Sequence, residues 1–246
     1  MQAVLSWFSV SKKRFISRIA DDQQHSTAID DFKRRITGEF ATILADPPWQ
    51  FKNRTGKMAP EHQRLLRYPT MTLEEIMSLP VQDVAAQQSH LYLWVPNALL
   101  AEGLEVMRRW GFTYKSNLVW YKTRKDGGPD GRGVGFYFRN VTELILFGVR
   151  GKMRTLDAGR CQVNIISSNK REHSRKPDEQ YGLIESCSPG PYLELFCRHP
   201  QPGWVAWGNE ISEDGNKRNG IIWNNRKVVE LPQLRLLEKP TKYGCK

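Results

Sequence analysis

The sequence lacks the features that mark several classes of protein. Its four cysteines form no C-x-x-C pair and have no histidine at zinc-finger spacing, which argues against a metal centre. No apolar run approaches the ~18 residues that cross a bilayer, and residues 1–10 lack the basic start and the A-x-A site of a secretory signal. No internal repeat is visible. We therefore expect an intracellular, cytoplasmic protein with one main domain.

Acidic residues are also scarce relative to basic ones. The chain carries 37 Lys and Arg against 26 Asp and Glu, for a formal net charge of +11. Such a charge favours a polyanionic partner, with nucleic acid as the first candidate. A basic surface that serves only solubility is the alternative.

Short apolar runs alternate with helical segments from Phe40 onward, which predicts an α/β sheet covered by helices. The strand candidates are residues 40–45, 90–95, 117–122, 142–149, 162–167, 192–196 and 203–207. We expect a mostly parallel sheet of seven to eight strands in a Rossmann-like layer.

Three helices have recognisable starts. Thr72 followed by Glu75 predicts a capping box, Asn97 is a candidate cap for a second helix, and Pro177 is placed to open a third. The core-facing residues of the second helix are predicted to be Leu100, Leu104 and Met107. All three helices are interpreted as core elements.

The stretch ADPPWQF, residues 45–51, places a carboxylate, two prolines and a tryptophan directly after the first predicted strand. Asp46 would lie at the carboxyl end of that strand, where open α/β sheets bind ligands. Pro47 and Pro48 lack N–H groups, so we expect their carbonyls to face outward beside the Asp46 carboxylate, with Trp49 as a flat neighbour. Such a group suits a planar ligand with an amino group, and adenine fits through its N6 amine. The alternative is a strand-ending turn with a core tryptophan.

The stretch resembles the signature of the MT-A70 family of S-adenosylmethionine-dependent adenine N6-methyltransferases. The similarity runs from about Gly38 to Glu210 in several blocks that follow the family's order. Besides ADPPWQF, these blocks include Y-P-T-M at 68–71, L-Y-L-W-V at 91–95, R-K-P-D-E at 175–179, Y-L-E-L-F at 192–196 and G-N-E at 208–210. The resemblance implies a class I methyltransferase fold in a permuted order, with the D-P-P-W block before the cofactor-binding strand.

The resemblance also implies roles for individual residues. Asp46, Pro47, Pro48 and Trp49 would form the catalytic block, and Tyr68 would close over the target base. The residues implied to bind S-adenosylmethionine are Asp46, Lys176, Phe196, Arg198, Asn209 and Glu210. Glu210 stands where relatives often have Gln, and the acidic residue expected before the catalytic strand is out of register, with Asp30 and Asp31 as nearby candidates.

Three segments follow from this interpretation. Residues 1–36 would be a basic extension, residues 37–212 the methyltransferase domain, and residues 213–246 a tail. The phosphate backbone would be held by basic residues of the loop after the catalytic block. These are Lys52, Arg54, Lys57, Arg64 and Arg67, together with Lys12, Lys13 and Arg14 in the extension.

The implied reaction transfers the methyl group to adenine N6, either in unpaired nucleic acid or after base flipping. No metal is needed. DNA is the expected substrate, because the chain is short and lacks the long N-terminal regions of the eukaryotic RNA enzymes. An RNA methyltransferase and a non-catalytic binding subunit remain the alternatives. A homodimer would enlarge the small surface that can recognise a site.

Overall fold

The computed structural model describes residues 28–50, 70–131, 137–169 and 175–208. Within them a seven-stranded sheet has the order β5-β3-β4-β2-β1-β6-β7. The strands are β1 (Phe40–Ala45), β2 (Ala85–Val95), β3 (Thr113–Thr123), β4 (Thr142–Arg150), β5 (Ile165–Asn169), β6 (Tyr192–Leu195) and β7 (Trp204–Trp207). Strand β4 is antiparallel to its neighbours β2 and β3, and the other pairings are parallel. The expected mostly parallel α/β sheet is confirmed.

Four α-helices flank this sheet in the described ranges. They are α1 (residues 28–35), α2 (Leu73–Ser78), α3 (Leu100–Arg109) and α4 (Glu179–Cys187). Short 3₁₀ segments occupy Val81–Asp83, Asn97–Leu99 and Asp157–Cys161. No helix in these ranges is both long and apolar enough to cross a membrane, and the cytoplasmic location stays a prediction.

Side-chain alternation along β1 divides the core between the two faces of the sheet. Ile43 and Ala45 pack with residues of α1, α2 and α3, whereas Leu44 packs on the opposite face with Ile184 of α4. Since successive side chains of a strand point to opposite faces, one buried strand supports both helical layers. This double cover is typical of a Rossmann-like fold.

Helix α1 lies within the segment expected to be an extension. Phe32 is fully buried and meets the Trp207 ring edge-on, with centroids 5.3 Å apart. Asp31 is buried as well, accepts a hydrogen bond from Trp207 Nε1 at 3.1 Å and pairs with Arg35 at 3.1 Å. Residues 28–36 therefore pack on the core of the sheet, and Asp31 is committed to an internal ion pair.

The start and the buried face of α3 differ from the prediction. Asn97 caps no helix; its amide donates to the Thr142 carbonyl at 3.1 Å. Leu100 and Leu104 are 40% and 37% exposed, whereas Met107 is buried as predicted, together with Val106. The reason is a close approach at Gly103, where a Cβ would lie 2.5 Å from Val95 Cγ2 and so would not fit. This contact turns the face around Gly103 toward the sheet.

The other two helix starts agree with the sequence. The Thr72 hydroxyl accepts from Glu75 N at 3.3 Å, and the Glu75 carboxylate accepts from Thr72 N at 2.6 Å, which completes the predicted capping box. Helix α4 begins two residues after Pro177, with Asp178 at its N-cap position. Both elements flank the carboxyl edge of the sheet.

Candidate active site

The turn after β1 brings the D-P-P-W block to the carboxyl edge of the sheet. Asp46 N donates to Leu195 O at 3.3 Å, which continues the pairing with β6 for one residue beyond the strand. The sequence predicted that the proline carbonyls face outward, and the structure gives each of them one hydrogen-bond partner. Pro47 O accepts from Trp49 N at 2.8 Å, and Pro48 O accepts from Met71 N at 2.9 Å. Because a carbonyl oxygen has two lone pairs, each can still accept one further hydrogen.

Trp49 is a core side chain in this structure. It is 6% exposed, and its Nε1 donates to Trp94 O at 2.9 Å. This bond ties the end of the turn to the end of β2 and so fixes the direction in which Asp46 leaves β1. Contact between Trp49 and a target base stays a prediction.

Two cations converge on the Asp46 carboxylate. Lys176 Nζ lies 3.0 Å from Oδ1, and Arg198 Nη2 lies 3.6 Å from Oδ2. The resemblance implied that all three residues bind the cofactor, and the structure brings their side chains together. Two cationic donors therefore lie beside the Asp46 carboxylate. The side chains of Asp46 and Lys176 are 20% and 17% exposed, so the pair remains open to a ligand.

Lys176 also binds a second carboxylate. Its Nζ lies 3.3 Å from Glu143 Oε2 and 4.9 Å from the centroid of the Trp94 ring. Lys122 pairs with the other oxygen of Glu143 and lies over the Trp120 ring at 4.8 Å. The result is a continuous chain of alternating charges, from Lys122 through Glu143 and Lys176 to Asp46, with indole rings beneath both lysines.

This chain of charges shifts the protonation of its members. Desolvation acts to raise the pKa of Glu143, but the charges of Lys176 and Lys122 outweigh it and hold that pKa at about 2. Desolvation acts to lower the pKa of Lys176, and the Asp46 and Glu143 carboxylates outweigh it and raise that pKa. At neutral pH Lys176 is therefore a cation and Glu143 an anion.

Sequence reasoning assigned no role to Glu143, Lys122 or Trp94. Each stood inside a block that resembles the family, without a role of its own. Strand β4 runs opposite to its neighbours, so its first residues reach the carboxyl edge of the others. An acidic residue at the start of an otherwise apolar strand was the available signal. Its meaning depends on the antiparallel direction of β4, which the sequence did not reveal.

The chain turns sharply after β6. Phe196 has φ +62°, and Cys197 N then donates to Trp207 O at 2.9 Å. Gly208, after β7, approaches so closely that a Cβ there would lie 2.1 Å from Cys197 O. The Phe196 ring meets Trp207 edge-on at 5.4 Å. This turn directs Arg198 toward Asp46 and leaves Phe196 partly buried at the same edge.

A protonatable carboxyl group lies behind this turn. Glu194 of β6 is buried and accepts from Tyr181 OH, with both oxygens at 3.1 Å. Burial raises its pKa to about 7, and the Asp46 charge contributes in the same direction, against hydrogen bonds from Cys197 and Tyr181. Glu194 therefore changes protonation near neutral pH.

We predict that Glu194→Gln removes part of the pH dependence of folding. The folded state keeps a proton on Glu194 at pH values where the unfolded chain has lost it, so the free energy of unfolding falls as pH rises from about 4.5 to about 7. The amide is neutral throughout and should stabilise the protein by up to about 3 kcal/mol at pH 8, with little change at pH 4.5. Urea unfolding at both pH values tests this. Equal pH dependence in wild type and variant would contradict it.

Several predicted site residues lie outside the described ranges. They are Tyr68, Asn209 and Glu210, and the basic residues Lys52, Arg54, Lys57, Arg64 and Arg67, with Lys12, Lys13 and Arg14 of the extension. Their roles stay predictions. A cavity of about 610 Å³ is lined by Lys115, Phe147, Lys152 and Arg154 among others, at the end of β4 away from Asp46. It is separate from the candidate active site.

The sheet order, the D-P-P-W turn and the charged edge together define a Rossmann-like methyltransferase fold. The MT-A70 family profile matches residues 40–210, which is more than half of the chain. The protein belongs to the MT-A70 family. Methyltransferases of this family use S-adenosylmethionine as the methyl donor.

Relatives with known names are similar over the same region. The chain is 34% identical over 193 residues to the putative N(6)-adenosine-methyltransferase MT-A70-like of Medicago truncatula, covering 75% of this chain and 28% of that protein. It is 33% identical over 180 residues to the N(6)-adenosine-methyltransferase catalytic subunit METTL3 of Homo sapiens, covering 72% of this chain and 29% of that protein. It is 27% identical over 195 residues to the type II methyltransferase M.MunI of Mycoplasma sp, covering 72% of this chain and 79% of that protein. The chain thus spans less than a third of the length of the plant and human relatives.

The residues at the edge suit S-adenosylmethionine chemically. Its amino acid portion carries one carboxylate and one ammonium group, and the edge offers the cations Lys176 and Arg198 beside the anion Asp46. All three side chains are partly exposed. Charge-assisted hydrogen bonds of this kind are stronger than neutral ones, so the donor set fits the cofactor.

Proposed function

We propose that this protein transfers the methyl group of S-adenosylmethionine to the N6 amine of adenine in DNA. The observation that carries the proposal is the position of Asp46, held on the D-P-P-W turn at 3.0 Å from Lys176 and 3.6 Å from Arg198. An anion and two cations meet at a sheet edge where a ligand can reach them. A non-catalytic binding subunit would not require this intact acidic turn.

Asp46 and Pro47 supply the acceptors for the target amine. One N6 hydrogen would be accepted by the carboxylate and the other by the free lone pair of Pro47 O, which draws the nitrogen lone pair away from the ring and toward the methyl carbon. Methyl transfer would form the N–C bond as the C–S bond breaks, and one proton would pass from nitrogen to the Asp46 carboxylate or to solvent. The negative charge of Asp46 also stabilises the positive charge that develops there. Good alignment of the reacting atoms can contribute ~7–11 kcal/mol.

Most of the remaining roles rest on residues outside the described ranges. We assign Tyr68 to the target base, and Asn209 and Glu210 to the cofactor, with Glu210 accepting from the ribose hydroxyls. Lys52, Arg54, Lys57, Arg64 and Arg67 would bind phosphates, which makes binding salt-dependent. Phe196 would pack on the cofactor. The positions of Gly208 and Arg198 at the same edge support these assignments.

The choice of DNA is supported by the similarity to M.MunI, which the chain matches over 79% of that protein's length. The higher identity to METTL3 favours RNA as the second candidate. The active-site turn is the same in either case, so the substrate must be measured. A homodimer is part of the proposal, and light scattering of the purified protein tests it.

The deciding experiment incubates the protein with S-adenosylmethionine and equal amounts of single-stranded DNA, duplex DNA and RNA of one sequence. N6-methyladenine is then quantified by mass spectrometry, with Asp46→Asn as the inactive control. Methylation of DNA that disappears in the variant is expected. Methylation of RNA alone would transfer the function to the second candidate, and cofactor binding without methylation of any substrate would contradict the proposal.

A further inference from the structure

Two exposed aromatic side chains lie in the hairpin loop between β3 and β4. Tyr137 is 92% exposed and Phe138 is 84% exposed, whereas most aromatic residues of the described ranges are buried. Neither belongs to the core clusters on the two faces of the sheet. Two adjacent exposed aromatic side chains form a candidate binding surface.

The strand directions place this loop at the edge that carries Asp46. Strand β3 runs parallel with β1, so the loop leaves β3 at Thr123 on the carboxyl side, and β4 returns from that side at Thr142. Glu143, the second residue of β4, is joined to Asp46 through Lys176. Phe138 is five residues before Glu143, so its Cα lies within about 17 Å of the Glu143 Cα even in a fully extended chain.

Hydrogen bonds hold both legs of the loop. Lys122 N donates to Val141 O at 2.8 Å, and Asp130 N donates to Lys122 O at 2.8 Å. Arg139, next to Phe138, donates from Nη1 to Gly131 O at 2.9 Å and so joins the returning leg to the outgoing leg. The aromatic pair therefore projects from an anchored base, and the cation Arg139 is next to it in the chain.

We propose that Tyr137 and Phe138 form a stacking platform for the bases that flank the target adenine. The inference rests on the proposed function, because only a polymeric substrate with its adenine at Asp46 would bring neighbouring bases within reach of this loop. Aromatic side chains stack on any base, since every base has a π-face, and cations beside them can bind the phosphates. The platform would hold flanking nucleotides without reading their sequence.

The binding test uses a fluorescein-labelled 12-nucleotide single strand with one central adenine, measured by anisotropy at fixed salt. We expect the double variant Tyr137→Ala/Phe138→Ala to raise Kd by about 5- to 150-fold for each base that stacks. The double variant Tyr137→Trp/Phe138→Trp keeps two stacking surfaces and should bind like wild type. Tyr114→Ala is the matched control, because Tyr114 is an exposed aromatic at the opposite end of β3, and it should change Kd less than twofold.

Abasic substitution at each position within five nucleotides of the adenine locates the stacked bases. At one or two flanking positions, loss of the base should raise the Kd of wild type. The same loss should not raise the Kd of the double alanine variant any further. Such coupling between base and side chain is expected of a direct contact. A double alanine variant that binds within twofold of wild type, or abasic effects that stay the same in both proteins, would overturn the inference. S-adenosylmethionine affinity should not change, and a large loss would indicate damage to the fold and also count against the platform.

The outcomes for the platform and for the proposed function can be separated. Methylation by wild type together with unchanged binding by the double alanine variant would refute only the platform. Absence of methylation by wild type would refute the proposed function, while oligonucleotide binding is still measured directly in both proteins. A third outcome is that the double alanine variant loses binding while wild type methylates no substrate. The loop would then bind nucleic acid in a protein with another activity. That result would refute the platform, because the platform is proposed to act on bases that flank a target adenine.

Discussion

Replacing Asp46 by Asn is expected to lower kcat for adenine methylation by at least about 100-fold, the usual cost of removing one electrostatic contact to the transition state. The amide keeps one oxygen acceptor but presents an NH₂ group where the second oxygen was. It also removes the anion that Lys176 and Arg198 now share. Positive charge developing on the target nitrogen would then face two cations without a balancing carboxylate. Single-turnover kinetics with saturating cofactor and substrate measure the effect.

Binding measurements show whether the loss is chemical. Calorimetry should find that S-adenosylmethionine affinity falls far less than kcat, and oligonucleotide affinity should hold or increase because one negative charge is removed. Asp157→Asn provides a matched control, since Asp157 is an exposed carboxylate paired with Arg160 and lies outside the β3–β4 loop. A variant at Asp46 that retains more than a tenth of wild-type kcat would exclude the acceptor role.

The sheet was predictable from the sequence because its central strands, such as β1 and β6, are buried on both faces and read as short apolar runs. The predicted β1, residues 40–45, has the observed bounds, but β2 begins five residues before its predicted start at 90. The polar start of β2, A-A-Q-Q-S, carries no apolar signal, and its extended conformation comes from neighbouring strands, as in the pairing of Ser89 with Arg150. The conformation of these residues is set by pairing with strands distant in the chain, and a local sequence pattern does not contain that information.

The site was only partly predictable for a similar reason. Asp46 could be assigned to the carboxyl edge because it follows a predicted strand, whereas Lys176 and Arg198 were assigned to the cofactor through their places in blocks that resemble the family. Glu143 was not assigned, because its position depends on the reversed direction of β4. The buried environment of Trp49 and the hydrogen bonds of the proline carbonyls also depend on contacts with β2 and Met71, which are distant in the chain.

Replacing Lys176 by Met is expected to affect cofactor binding and stability together. S-adenosylmethionine Kd should rise at least about tenfold, because a charge-assisted contact is lost. The free energy of unfolding should fall by about 1–3 kcal/mol, since Asp46 and Glu143 lose the cation between them at a partly exposed site. The pKa of Glu143 should rise from about 2, because Lys176 helps to hold it there. In wild type, ionised Glu143 contributes its full stabilisation above about pH 4.5 and loses it as pH falls toward 2. In the variant this contribution to the free energy of unfolding should be smaller.

A second substitution separates the two effects of Lys176. In Lys176→Met/Glu143→Gln the uncompensated carboxylate becomes a neutral amide, so much of the lost stability should return while cofactor affinity stays low. Glu143→Gln alone keeps Lys176 paired with Asp46 and should retain most of the cofactor affinity. Thermal unfolding and calorimetry on the three variants test this. If cofactor affinity returned with stability in the double variant, Lys176 would serve only to neutralise Glu143, and the methionine carboxylate would have to bind Arg198 instead.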